Sequence, residues 1–554
     1  MSRKYALPVL FAGLLALTGR SVATQQQFAP GYVDPKPILD AAIQAIGNDK
    51  LNCVTISGTA YDGAVGQQKE AGKNVDWPRI DSLANYTRTM NWQAKTMKEE
   101  FDRKPGLAPA AWKYGVGWID GPLQTQTHQT FMLNASNASK VYAWHMDGPN
   151  GQPVANEPDA AEVFPVELWM NPHGFLKAAQ MPGANPQATW RWELGEMGRD
   201  GPTTIPEKMN VVRITAPGGF KIDATINKEH MLQRMHTMVP DAVLGDLNYE
   251  HEFTNESYID VGNGIKFPTG WHSHEGYDDN FQNQNISAGH NAFGGTMKDV
   301  KANVCPDPVA VPAAISNAQF PVAPQMTKLA DGVYSFERGS YKSVAVEFPN
   351  WIAVFEAPRT EDFNLRVIEA IVKQIPNKPI RYIVNSHQHF DAAGGLRAYY
   401  HIGATVITSW HNYALYTHDF ISYAARTVKP DMVSIWPPTE LAEGYYYETV
   451  RENYTLEDAG RVMHLYYVNP LQHAEGMLMA YLPKEKLLIE SDIVNTNNPL
   501  PAMPTRDQQK LYDEVKALKL DVAQIVPIHG KPIPWSDFAK LFAAQPKQTA
   551  SAGN

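Results

Sequence analysis

The sequence predicts two unlike halves, a mainly antiparallel β domain followed by an α/β domain. Three observations carry this. From Asn52 to about Glu275, short segments alternate apolar and polar residues between turn signals, the period-2 pattern of strands with one buried face. From about residue 326, apolar runs of strand length are separated by helical segments, the spacing of βα units. The residues of the second half best suited to chemistry, among them His387, His389 and Asp391, each fall just past one of those runs. That is where α/β sheets place their reactive groups.

In chain order, residues 1–23 read as a secretory signal peptide. Arg3 and Lys4 form a basic start, Ala6 to Leu17 an apolar stretch too short to span a bilayer comfortably, and Ser21-Val22-Ala23 a small-x-small cleavage site. Gly19 and Arg20 interrupt the run and argue against a membrane anchor. The expected mature chain begins at about Thr24 and is periplasmic or secreted. No later stretch has the length and apolarity of a membrane span.

At 554 residues the chain suggests two or three domains. Its formal charge is −10, and removing the three cations Arg3, Lys4 and Arg20 takes it to −13. An acidic chain without a basic run excludes a nucleic-acid partner and leaves a small-molecule substrate as the expectation. The two cysteines, Cys53 and Cys305, could pair in an oxidising compartment; two separate thiols are the favoured expectation. Nothing in the sequence fixes an oligomeric state.

Asp34-Pro35 is a helix start, with Ile38, Leu39, Ala42, Ile43 and Ile46 on one face and Gly47-Asn48 as the stop. Strands are expected over Asn210–Thr215, Phe220–Ile226 and Met231–Val239, the last two paired through Asn227–His230. A hairpin with an Asn263-Gly264 turn joins Tyr258–Val261 to Ile265–Pro268. A helical break is expected within Glu162–Ala179, interrupted at Pro172. This pattern over 24–275 loosely resembles the half-barrels of bacterial lipoprotein carriers. Such a sheet can bind a lipid, present substrate or brace the other half, and bracing is the expectation. His272 and His274 form an HxH pair with no aspartate two residues on and no spaced partners, so they read as a decoy. His145, His230, His236 and His251 read as surface or satisfied strand histidines.

Residues 276–325, rich in Asn, Gln, Gly and Ser and then in Pro, read as a linker or a long loop. The second domain follows over 326–545, with 546–554 as a tail. It opens with short strands near Gly332–Phe336, Ser343–Phe348 and Trp351–Phe355. Tyr382-Ile383-Val384 then precedes Asn385-Ser386-His387-Gln388-His389-Phe390-Asp391-Ala392-Ala393-Gly394-Gly395. In extended backbone His387 and His389 point the same way, and two converging imidazoles suit zinc. The glycine pair would let the backbone pass close to such a site. His473 follows the strand Val462–Val468, Asp492 ends Lys486–Ser491, and His529 ends Ala523–Ile528. His411 and His418 are candidates for the cleft, and Thr427–Tyr454 for a wall of the substrate pocket.

The ordered series HQHFDA, then His, Asp and His, resembles the ligand series of the metallo-β-lactamase superfamily over roughly residues 326–545. The resemblance implies an αββα sandwich. It implies His387, His389 and His473 as one metal site and Asp391, Asp492 and His529 as a second, with Asp492 placed to bridge. The full family motif is HxHxDH, and here its last position is Ala392, so one tight zinc and a second, weaker one are expected. Many members end the third strand with Asp-x-Gly, where Glu356-Ala357-Pro358 stands here. The activity implied is zinc-dependent hydrolysis of a small carbonyl ester, lactone or amide, β-lactams included, with Asp391 orienting the attacking water. The alternatives are a mononuclear iron dioxygenase of sulfur compounds using His387, His473 and Asp492, and a binding protein with a degenerate metal site.

Overall fold

The computed structural model describes residues 28–543 apart from 64, 70, 72–76, 78, 106–127, 138–139, 195–205, 277–289, 322, 420, 423–425, 438–445 and 498. The expected leader, 1–23, and the tail, 546–554, lie outside the described residues, as do the centre of Thr427–Tyr454 and the side chain of His418. Among the described residues the chain is mostly antiparallel sheet with few helices, and no helix is long and apolar enough to cross a membrane.

The first half is one 13-stranded sheet. From edge to edge it runs Val154–Ala155, Tyr142–Asp147, His128–Asn134, Thr96–Pro105, Arg79–Asn91, Cys53–Gly63, His290–Ala302, Gly270–Gly276, Gly245–Glu252, Leu232–Asp241, Lys221–Ile226, Pro206–Thr215 and Gln187–Leu194. Every neighbouring pair is antiparallel. Residues from strands far apart in this order, such as Leu133 and Ile222, share one apolar cluster with the helices Pro35–Ile46 and Pro172–Ala179. The sheet therefore curls around those two helices. The first starts as expected, with the Lys36 amide donating to Asp34 Oδ1 at 2.9 Å, and stops at Gly47 with φ 65°. Pro172 begins the second helix, after a 3₁₀ segment at Phe164–Leu168, and Asn171 caps it by accepting from the Gly174 amide at 2.8 Å. The Tyr258–Asp260 and Lys266–Pro268 hairpin turns through Asn263 and Gly264, both with positive φ, as a type I′ turn requires.

Two expectations are corrected. The span 276–325 is not simply a linker or loop, because His290–Ala302 is a central strand of the first sheet, between Cys53–Gly63 and Gly270–Gly276. Its glycines serve close packing: a Cβ on Gly294 would lie 2.2 Å from the Tyr61 ring. Cys53 and Cys305 are not separate thiols; they form a disulfide, their Cα atoms 5.6 Å apart. The partner strand ends at Ala302 opposite Val54, which brings Cys305 back over Cys53.

The second half holds two sheets. The first runs Gln325–Ala330, Val333–Arg338, Tyr341–Glu347, Ile352–Phe355, Ile380–Val384, Thr405–Ser409 and Tyr447–Val450, with its last three pairings parallel. The second runs Asn453–Asp458, Arg461–Val468, Met477–Leu482, Leu487–Glu490, Gln524–Pro527 and Ile533–Pro534. Alternation along each strand assigns two faces. Ala353 and Phe355 meet Leu478, Ala480 and Leu482 between the sheets. Ile352 and Val354 point outward to the helix Glu361–Gln374, and Met477 and Met479 to the helices Arg506–Ala517 and Trp535–Ala543. Burial on both faces explains why these strands read as unbroken apolar runs.

The halves share a core. Val243 and Leu244, in the turn between Leu232–Asp241 and Gly245–Glu252, and Leu247 of the first sheet join the cluster that holds Phe363, Val367 and Ile371. Arg426 donates to the carbonyls of Asp241, Ala242 and Val243, and Thr427 donates through its amide and Oγ1 to Asp246. The described start of Thr427–Tyr454 thus packs against the first sheet.

Inside the curled sheet lies a cavity of about 430 Å³, with Phe101, Phe131, Trp271 and Phe293 in its wall. Its charged groups are paired, Arg88 lying 2.9 Å from both Glu99 and Glu167. Glu275, also in the wall, has no such cation among the described residues. Burial, and then the charges of Asp241, Glu167 and Asp62, push its carboxyl from 4.5 up to about 8. The folded chain therefore keeps a proton there that the unfolded chain releases above pH 4.5. Stability from this group is full below that pH and is lost as pH rises towards 8. Melting temperatures across pH 5–8 should fall less steeply for Glu275→Gln than for the native chain; equal slopes would show that Glu275 is ionised throughout.

Candidate metal centre

The six predicted ligands converge. His387, His389, Asp391, His473, Asp492 and His529 are all buried, the most exposed being Asp492 at 8%. His387 and His389 follow the strand Ile380–Val384, His473 follows Arg461–Val468, Asp492 follows Leu487–Glu490, and His529 follows Gln524–Pro527. Strands of the two packed sheets thus deliver their C-terminal ends to one place. His389 Nδ1 lies 2.9 Å from His473 Nε2, which lies 3.1 Å from His387 Nε2. Asp492 stands between the two groups of ligands, with Oδ2 3.5 Å from His387 Nε2 and Oδ1 3.0 Å from His529 Nε2. Asp391 Oδ2 is 3.2 Å from the same His529 nitrogen.

The tautomers of His389 and His529 follow from the far side of each ring. His389 Nε2 is 3.0 Å from the Gln68 carbonyl, an acceptor only, so it carries the proton and leaves the Nδ1 lone pair facing the other imidazoles. His529 Nδ1 likewise donates to the Ser340 carbonyl at 2.9 Å, turning Nε2 towards the two carboxylates. Ser386 Oγ lies 2.7 Å from His387 Nδ1. A ring N–H held by a carbonyl or hydroxyl, with its other nitrogen aimed inward, is the usual second support of a metal-ligating histidine.

Burial sets the charges. Desolvation and then neighbouring His473 push His389 down to about 3, and desolvation and then His389 push His387 well below 6.5, so both stay neutral and able to donate a lone pair. Burial, then the charge of Asp492, pushes Asp391 up to about 6. Asp391 Oδ1 is buried with no hydrogen-bond partner among the described residues. Imidazole lone pairs meeting within about 3 Å repel, and a cation at the meeting point removes that conflict. At His529 burial is outweighed by the charges of Asp492 and Asp391, which hold the imidazole well above 6.5, so without a metal its Nε2 carries a proton towards the two carboxylates. The donor set of imidazole and carboxylate suits zinc at the three histidines and a second cation at Asp391, Asp492 and His529.

The supports around this cluster were not singled out in the sequence. The Asp507 carboxylate accepts from the amides of Gln472 at 2.7 Å and His473 at 3.0 Å. Glu490 Oε2 accepts from the amides of Ile493 and Val494, fixing the turn that carries Asp492. Glu356, standing where Asp-x-Gly is common, adopts φ 67° and accepts from the Ser386 amide and the Asn385 side chain at 3.0 and 3.1 Å. The replacement therefore still braces the histidine loop. Gly394 and Gly395 are required by a different neighbour from the one expected: a Cβ on each would lie 1.8 Å from the Arg359 carbonyl and the Asn364 amide, respectively, behind the site. His411 pairs with Glu475 at 2.9 Å, close to His473 in sequence.

The first half reaches the cluster directly. Gln388 Nε2 donates to the carbonyls of Gln68 at 2.8 Å and Lys69 at 3.3 Å, and the Glu475 amide donates to Lys69 at 2.8 Å. One short segment, 67–69, thus orients His389 and is pinned by the loops on either side of it.

No protein-family model matches the chain. Solved structures similar to it include metallo-β-lactamases. One from Pontibacter korlensis is 17% identical, with a TM-score of 0.31, over 40% of this chain and all of its own. One from Hirschia baltica is 14% identical, with a TM-score of 0.29, over 40% of this chain and 96% of its own. The enzyme FIM-1 from Pseudomonas aeruginosa, in a mono-zinc form, is 15% identical, with a TM-score of 0.29, over 40% of this chain and 94% of its own.

Because the Gln68 carbonyl orients His389 and Gln388 holds that carbonyl, Gln388→Ala should weaken zinc binding at the three histidines by about 10-fold or more. Competition with a fluorescent chelator measures this. An unchanged affinity would mean that segment 67–69 plays no part in orienting the ligand.

Proposed function

We propose that the chain is an exported, zinc-dependent hydrolase of a small carbonyl ester, lactone or amide, with a metallo-β-lactamase-like αββα domain in its C-terminal part. The observation that carries the reading is the convergence of three imidazoles in a buried pocket, with His473 Nε2 lying 2.9 Å from His389 Nδ1 and 3.1 Å from His387 Nε2. Zinc held there supplies a Lewis acid and a water acidified to near neutrality. His387, His389 and His473 hold it. Asp391 orients the attacking water through Oδ1, takes up its proton and passes it to the leaving group. Asp492 and His529, with Asp391, offer a weaker second site, since Ala392 brings no ligand of its own. Export is supported by the basic-apolar-small pattern of residues 1–23 and by the Cys53–Cys305 disulfide, which suits an oxidising compartment.

The iron reading draws on His387, His473 and Asp492 alone, whereas His389 Nδ1 aims at the same point. A third imidazole favours zinc and hydrolysis over the two-histidine, one-carboxylate arrangement.

His389→Ala should lose metal and hydrolysis together. Asp391→Asn should keep the first zinc yet lower turnover about 100-fold or more, because an amide accepts no proton. Metal content and kcat on a panel of esters, lactones and lactams give both readouts. Near-native turnover of Asp391→Asn at full metal content would remove Asp391 from the mechanism, and a strict need for iron and oxygen would replace hydrolysis by the redox reading.

A further inference from the structure

The HxH pair set aside in the sequence as a decoy acquires a partner in the fold. His272 and His274 lie two apart on the strand Gly270–Gly276, so they share a face. That face is opposite to the cavity, which Trp271 and Ser273 line. The neighbouring strand, Gly245–Glu252, is antiparallel and in register, setting Glu252 across from His272 and Glu250 across from His274. His272 Nε2 lies 2.8 Å from Glu252 Oε2, and the two imidazole rings are 4.8 Å apart. One ligand atom from each of Glu252, His272 and His274 can be chosen so that all lie within 4.8 Å of one another.

We propose that Glu252, His272 and His274 form a further binding site, separate from the buried centre, for a divalent transition-metal ion of the zinc class. Two imidazoles and a carboxylate are a complete protein ligand set for zinc, leaving a fourth position for water. Bonds of about 2.0–2.1 Å at tetrahedral angles put ligand atoms about 3.3 Å apart, within reach of side-chain rotation on a fixed backbone. The pairing of His272 with Glu252 already brings donor and carboxylate together, and the 40% exposure of the His272 side chain gives an ion direct entry. Arg234, on the strand Leu232–Asp241, stands across from Glu252 on its other side. Its Nε leans on Glu250 Oε2 at 3.6 Å and its far end is held by Glu193. An ion here would clamp two strands that wall the cavity, independently of the buried centre.

The test is zinc stoichiometry in the full chain. Chelator-stripped native protein and a His272→Ala, His274→Ala variant are titrated with zinc sulfate in parallel by calorimetry, with circular dichroism as the check on folding. The double variant should bind one equivalent fewer, with the remaining binding and any hydrolysis unchanged. Glu252→Gln, which keeps both imidazoles, should move the same equivalent to higher zinc. Equal stoichiometry and affinity in the native and doubly substituted chains would overturn the site. That outcome leaves the buried centre untouched, because the buried centre is tested through His389.

Discussion

Three imidazoles and two carboxylates, joined by a fourth imidazole, are buried at one point, and much of the second half is arranged to hold them there. Left to themselves such groups oppose folding, because each loses water and their lone pairs face one another. The chain commits a support to each. Ser386, Gln68 and Ser340 fix three rings, Glu490 fixes the turn of Asp492, and Asp507 fixes the loop of His473. Supports of this number make sense when the point of convergence carries a positive charge.

The same demand explains the union of the two halves. The second half alone leaves the outer ring nitrogen of His389 to be satisfied, and a carbonyl from segment 67–69, 321 positions away, satisfies it. That segment follows the strand Cys53–Gly63 of the large sheet, which itself joins the core built on Phe363 and Val367. The curled sheet is thus a brace of the site as well as the wall of a cavity. Bracing was the expectation from sequence; the direct contact with a ligand was not.

What was legible followed from how strands advertise themselves. Apolar runs buried on both faces mark the strands of the second half, and polar residues at their ends stand out against them, so the six candidate residues could be placed in context; that they form one ligand series was implied by the family resemblance. The supports could not be picked out. A carbonyl such as that of Gln68 has no side-chain signature, and Asp507 and Glu490 look like ordinary helix and strand-end acids. Glycine and asparagine around 276–302 suggested a linker because composition cannot distinguish a flexible glycine from one, such as Gly294, that admits the Tyr61 ring. The His272-His274 pair looked empty for a related reason: its partner Glu252 is joined by sheet register, not by sequence spacing.

The central claim is that a metal ion sits where the three imidazoles meet. Anomalous diffraction at the zinc absorption edge, on crystals of the full chain grown with zinc, tests it most directly because it gives the position as well as the identity of the ion. The account predicts a peak about 2.0–2.1 Å from His387 Nε2, His389 Nδ1 and His473 Nε2. Zinc-loaded crystals with no peak there, or with the rings turned so that these nitrogens no longer face one another, would contradict it.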